Sequence, residues 1–115
     1  MTMSRYLVVF SVFILTVVNA FSMSVSDYKV LKKNDEQGLS LYVMGLGQGY
    51  YWSTSLLQHR SQTPLYCPPD KLVLNADNYL SILKGELASG AWKDTDPVEI
   101  ILFRGLEKSF PCGRK

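Results

Sequence analysis

Leu39 to Arg60 is a stretch of 22 residues with no proline. Leu39, Val43, Leu46, Tyr50 and Leu57 recur along it at helical steps, which is the pattern of one apolar helix face. A strand reading suits only residues 39–44, "LSLYVM", where apolar and polar residues half alternate. Twenty-two residues exceed the usual strand length of roughly 3–10. The segment is therefore expected to be a helix, and it sets the class of everything packed against it.

The flanking segments are expected to be helical too, but shorter. Val25, Tyr28 and Leu31 make a short stripe, with Ser26 or Asp27 as its cap. Residues 61–74 carry Pro64, Pro68 and Pro69 and read as an extended connection. A further helix is expected from Asn75, a good N-cap, to about Ala88, with Tyr79, Leu80, Leu83 and Leu87 facing the core and Gly90 as a left-handed terminator. After the loop "AWKDTD" (residues 91–96), Asp96 as N-cap, Pro97 at the first helical position and Glu99 three residues after the cap signal a last helix. Its buried face is Val98, Ile101, Leu102 and Leu106, and it ends before Pro111. The fold class expected is all-α, a small bundle of three to four main helices.

The N-terminus reads as an export signal rather than part of that bundle. Arg5 supplies a basic start, and Tyr6 to Val18 is a 13-residue run broken by one Ser and one Thr. Val18-Asn19-Ala20 then offers a small-residue cleavage site. The run is short against the ~20 residues of a spanning helix. Cleavage after Ala20 leaves residues 21–115 as one domain of 95 residues. Removing Arg5 from 12 basic and 10 acidic residues leaves 11 and 10, a net charge of +1. That balance makes no electrostatic case for nucleic acid or, after signal cleavage, for a membrane surface.

Export also makes a disulfide available. Cys67 and Cys112 are the only two cysteines, so one pairing exists, closing a loop of 46 residues counted inclusively. The chain-entropy model gives such a loop about 4 kcal/mol, a large share of the ~5–15 kcal/mol total typical of a domain. A catalytic or metal-binding thiol pair is the less attractive reading, because His59 is the only histidine.

The glycines of "GLGQG" (residues 45–49) invite a phosphate-loop reading, but G-x-G-x-G is not the G-x-G-x-x-G of dinucleotide sites and no strand precedes it. In a helix each glycine costs close to 1 kcal/mol against alanine. Gly45, Gly49 and Ser53 stand four residues apart and form a side-chain-poor strip suited to close helix packing, inside the chain or across a dimer axis. Gly47 lies off that strip and is left unexplained by it. No catalytic constellation, metal-ligand set or cofactor motif stands out: Asp94 and Asp96 lack further ligands, and Glu86, Glu99 and Glu107 read as helix-surface charges. A small exported domain without such chemistry works by binding. Trp92, flanked by Lys93 and Asp94 in a charged loop, is the candidate anchor for a protein partner, against the alternative that it folds back over the core.

"YVMGLGQGY" (42–50), "LYCPPDKLVLNADNYLSIL" (65–83) and the terminal "FPC" (110–112) together resemble the Rap/Tai-like immunity proteins. These are small helical periplasmic proteins that protect bacteria from peptidoglycan amidases delivered by type VI secretion. The resemblance rests on Tyr42, Gly45 and Gly49 in the first tract, Cys67-Pro68-Pro69 before a helix, and Phe110-Pro111-Cys112. It implies pairing of Cys67 with Cys112, a protein amidase as partner, a homodimer in many members, and occlusion of the amidase cleft by a loop and nearby helical surface. Many members carry additional cysteines in or before the glycine-bearing helix, and this chain has none. A periplasmic stress chaperone of the acid-activated helical type, or an inhibitor of another envelope hydrolase, is the competing expectation.

Overall fold

The computed structural model describes residues 22–113. The candidate export signal, residues 1–20, lies outside them. Four helices account for the fold: α1 (Val25–Asn34), α2 (Glu36–His59), α3 (Ala76–Leu87) and α4 (Val98–Ser109). Among the described residues there is no strand, only an isolated antiparallel bridge between Ser24 and Pro97. The all-α expectation holds, and Cys67 and Cys112 are bonded to each other.

Local chemistry sets the helix ends, in three places differently from expectation. α1 is capped by Ser24, not Ser26 or Asp27: the Ser24 hydroxyl accepts from Asp27 N–H while the Asp27 carboxylate accepts from Ser24 N–H. Asp35 closes α1 through its own N–H to Leu31 O and opens α2 by accepting from Gly38 N–H. One residue thus separates two helices, and α2 starts three residues earlier than its apolar period suggested. α3 begins as expected, with Asn75 and Asn78 capping each other. Gly90 holds the left-handed φ of +74° that ends the turn after α3.

α4 departs from expectation. It starts at Val98 behind Pro97, with no side-chain cap. Asp96 turns back to accept from Lys93 N–H at 2.7 Å, and the Glu99 carboxylate accepts from Met23 N–H at 3.0 Å. Both acids are drawn off by partners outside the helix.

α3 and α4 pack on each other, α2 lies on α3, and α1 leans on α2. Val43, Leu83, Val98, Ile101, Leu102 and Leu106 are fully buried between them. Truncating any of the leucines to alanine should cost about 2–5 kcal/mol. Thr54 pins the proline-rich connection: its hydroxyl, fully buried, donates to Tyr66 O and accepts from Leu65 N–H. The connection is tied again at its Cys67 N–H, which donates to Phe110 O, beside the disulfide.

Candidate docking surfaces

Two features of the surface stand apart from the core: the loop between α3 and α4, and the outer face of α2.

The loop is held from three sides. Lys93 N–H donates to the Asp96 carboxylate and Asp96 N–H returns to Lys93 O, closing a tight turn. The start of α1 stitches to it through Val25 N–H to Asp96 O and Ser26 N–H to Asp94 O, both 3.0 Å. From behind, Trp92 packs half-buried against the core and its indole N–H donates to Glu86 Oε1 at 3.3 Å. The alternative in which Trp92 folds back over the core is therefore the one observed, and its ring is not a freely projecting anchor. Lys93, Asp94 and Thr95 are the exposed tip. Lys29 pairs with the Asp94 carboxylate at 2.8 Å, but both groups are largely exposed, so this ion pair contributes little.

Glu86 was expected on the helix surface and is instead 7% exposed. Burying a carboxylate costs several kcal/mol unless it is paired. Here Oε1 takes both the Trp92 indole and the Lys108 ammonium, the latter at 2.9 Å. That three-membered contact joins α3, the loop and α4.

Glu99 organises the opposite end of the loop. Besides Met23 N–H, its carboxylate receives the Tyr42 hydroxyl, and its main-chain oxygen receives the Tyr50 hydroxyl at 2.8 Å. Burial, followed by the bond to Glu99, pushes the Tyr42 phenol up to about 12; burial and the Glu99 charge also raise Tyr50. Both phenols stay neutral donors at ordinary pH.

The outer face of α2 carries the glycine strip. Among the described residues, a methyl built at Gly45 or Gly49 would meet nothing within 4 Å. Of the two placements left open for this strip, packing inside the chain is not the one observed among the described residues. With about 100° between successive residues, Gly45, Gly49 and Ser53 sit well round the helix from the buried Val43 and Thr54, and all three are exposed. The glycine that does permit close packing is Gly47: a methyl there would lie 2.5 Å from the Tyr79 ring. Gly47 was unexplained from sequence because its partner belongs to α3.

Alongside the strip stand Leu41 (68% exposed), Trp52 (67%) and Leu56 (48%). The anchor expected from sequence was Trp92, not Trp52. The signal was present, since Trp52 falls at nearly the same helical angle as Gly45, opposite the core stripe. Beside Trp52 opens a cleft of about 250 Å³, bounded by Gln48, Tyr51, Leu72, Val73 and Tyr79. Val73 is 87% exposed. Monomeric proteins expose such large apolar groups singly more often than in a row.

Among the described residues no group of three or more His, Cys, Asp or Glu is placed to hold a metal ion, and no helix is long and apolar enough to cross a membrane. His59 is exposed at the end of α2. Comparison with protein-family models, with curated proteins and with solved structures finds no match for this chain.

Proposed function

We propose that the chain is an exported, periplasmic immunity protein that binds a peptidoglycan amidase delivered by type VI secretion and occludes its active-site cleft. The observation that carries the reading is the α3–α4 loop. Its exposed Lys93-Asp94-Thr95 tip is held by main-chain bonds to α1 and by the Trp92–Glu86 contact behind it. A projection already fixed in shape loses little freedom on entering a cleft, so more of its contact energy appears as affinity. The disulfide-closed helical domain supplies a stiff mount, and the sequence tracts 42–50, 65–83 and 110–112 that resemble the Rap/Tai-like proteins support the assignment. Inhibition of this kind forms no covalent bond: the loop excludes substrate and water from the cleft. Trp92 acts from behind by holding the tip, with Lys93 and Asp94 making the contact.

The test is titration of a candidate amidase with the purified protein while peptidoglycan hydrolysis is followed. Activity should vanish at one equivalent of binding sites. Exchanging the tip charges, Lys93→Glu with Asp94→Lys, should weaken binding by roughly 100-fold, the scale of a lost interface hot spot. Trp92→Ala should weaken it as well by freeing the loop. If both variants bind as the parent does, the loop assignment fails. A client-binding chaperone is the competing reading, favoured by the exposed Leu41, Trp52 and Leu56. It predicts suppression of aggregation of unfolded proteins and no stoichiometric inhibited complex.

A further inference from the structure

The disulfide that closes the fold is also an accessible reactive group, and its two sulfurs are not equivalent. We propose that Cys112 is a reversible thiolation site: a small anionic thiol of peptide type enters the cleft beside the disulfide and attacks Cys112 Sγ, with Cys67 leaving as thiolate. This does not rest on the immunity reading, because no residue of the α3–α4 loop takes part.

Access comes first. Cys112 is exposed, in the stretch that follows α4, whereas Cys67 is half-buried. Cys67 is also the more firmly held of the two, with Pro68-Pro69 behind it and its own N–H bonded to Phe110 O. Thiol–disulfide exchange is an attack on one sulfur with the other as leaving group, and access decides which sulfur is struck. Here access favours Cys112.

The surroundings say what kind of thiol fits. Both cysteines line an open cleft of about 680 Å³, together with Gln58, Ser61, Gln62 and Thr63. That volume suits a small molecule, and side-chain amides and hydroxyls can both donate to and accept from a peptide backbone. No charged side chain lines the cleft among the described residues. Charge enters from the sequence beside it: Arg114 and Lys115 follow Cys112 by two and three residues. Two cations this close to the attacked sulfur raise the local concentration of an anionic thiol over a neutral one.

The step balances without any other reagent. The thiolate forms a new S–S bond to Cys112 Sγ as the bond to Cys67 breaks, and the electron pair leaves on Cys67. The incoming sulfur is oxidised to the disulfide level and Cys67 is reduced. The opened state keeps contacts that hold Cys67 nearby: the Thr54 hydroxyl still bonds Leu65 and Tyr66, the Tyr66 and Phe110 rings stay packed at 6.4 Å, and Cys67 N–H still reaches Phe110 O. Return attack by Cys67 is therefore intramolecular, and it restores the bridge when the free thiol is withdrawn.

Glutathione, a tripeptide thiol of net negative charge, is the probe. The oxidised parent protein is treated with excess reduced glutathione, quenched in acid and mapped by mass spectrometry. The trapped adduct is expected on Cys112, with Cys67 free, while the helical circular-dichroism signal persists. Single-cysteine variants read the same asymmetry from the other direction. With oxidised glutathione, the Cys112 thiol of Cys67→Ser should be modified about 10-fold faster than the Cys67 thiol of Cys112→Ser. Reversing the tail charges, Arg114→Glu with Lys115→Glu, should slow opening by glutathione roughly 3- to 10-fold and leave opening by neutral 2-mercaptoethanol unchanged. An adduct found on Cys67, or shared equally between the two, overturns the proposal. So does a disulfide that opens only after denaturant has melted the helices, or a rate with glutathione that ignores the tail charges.

Discussion

Tyr79 lies with its ring flat against the backbone at Gly47, and it is only 1% exposed. The contact lets α2 and α3 pack closely there, and it makes the three neighbouring glycines unequal. Gly47→Ala drives a methyl into an enclosed ring. It should cost about 1–2 kcal/mol, because overpacking outweighs the gain in helix propensity. Gly45→Ala and Gly49→Ala meet open space among the described residues and should each raise stability by about 0.5–1 kcal/mol. Urea unfolding of the three variants checks the order. Equal effects at all three positions would sink this account of Gly47.

Glu86 gives a second test, because the carboxylate is buried while its partner Lys108 is largely exposed. Lys108→Ala should cost about 2–4 kcal/mol, well above the usual effect of trimming a surface lysine, since it leaves a buried carboxylate with one neutral donor. Glu86→Ala should cost about 1–3 kcal/mol, chiefly through the orphaned indole of Trp92. In a Trp52→Phe background, fluorescence reports Trp92 alone. A red shift is expected on Glu86→Ala before any global unfolding.

Ser61 is the one non-glycine described residue with positive φ, at 54°. It closes α2 in the manner glycine favours: Gln62 N–H reaches back to Leu57 O and Ser61 N–H to Gln58 O. Ser61→Gly should therefore raise stability by about 0.5–1 kcal/mol, and Ser61→Val should lower it. Thermal or urea unfolding midpoints that move the other way would contradict the strain assigned here.

Alkali should unfold the domain through its tyrosines. Burial raises Tyr28, Tyr50, Tyr66 and Tyr79 above the ordinary phenol value of 10.0, and Tyr42 is pushed up to about 12. A raised phenol holds its proton longer in the folded state than in the unfolded one, so folding is favoured in full below pH ~10 and loses that contribution as pH climbs through ~12. Tyrosinate absorbance and circular dichroism should thus change together in that window. Tyr66→Phe should cost little, because the buried Tyr66 hydroxyl has no hydrogen-bond partner among the described residues.

Much of this was legible in the sequence, and the parts that were not share a cause. The period of Leu39, Val43, Leu46, Tyr50 and Leu57 gave α2 and its inner face. Asn75 gave the start of α3, because Asn75 and Asn78 cap each other within four residues. What escaped depended on partners far along the chain. Asp96 and Glu99 have the spacing of a capping pair, yet Glu99 is taken by Met23, 76 residues away. Glu86 has the look of a surface charge until Trp92 and Lys108 close over it. The roles of Gly45, Gly49 and Gly47 were exchanged for the same reason: spacing along a helix shows which residues share a face, and only the neighbouring helix shows which face is covered.

The bonds around α4 also impose an order of events. Met23 N–H reaches Glu99, Val98 N–H reaches Met23 O, Tyr50 reaches Glu99, and the bridge joins Cys67 to Cys112, each contact ending in or just after the last of the four described helices. Until Val98–Ser109 emerges, α3 lacks one of the two helices it packs on, and Cys67 has no thiol to meet. Contacts of such long sequence separation slow folding. A chain made from its N-terminus would thus close this core only once Val98–Ser109 had been added.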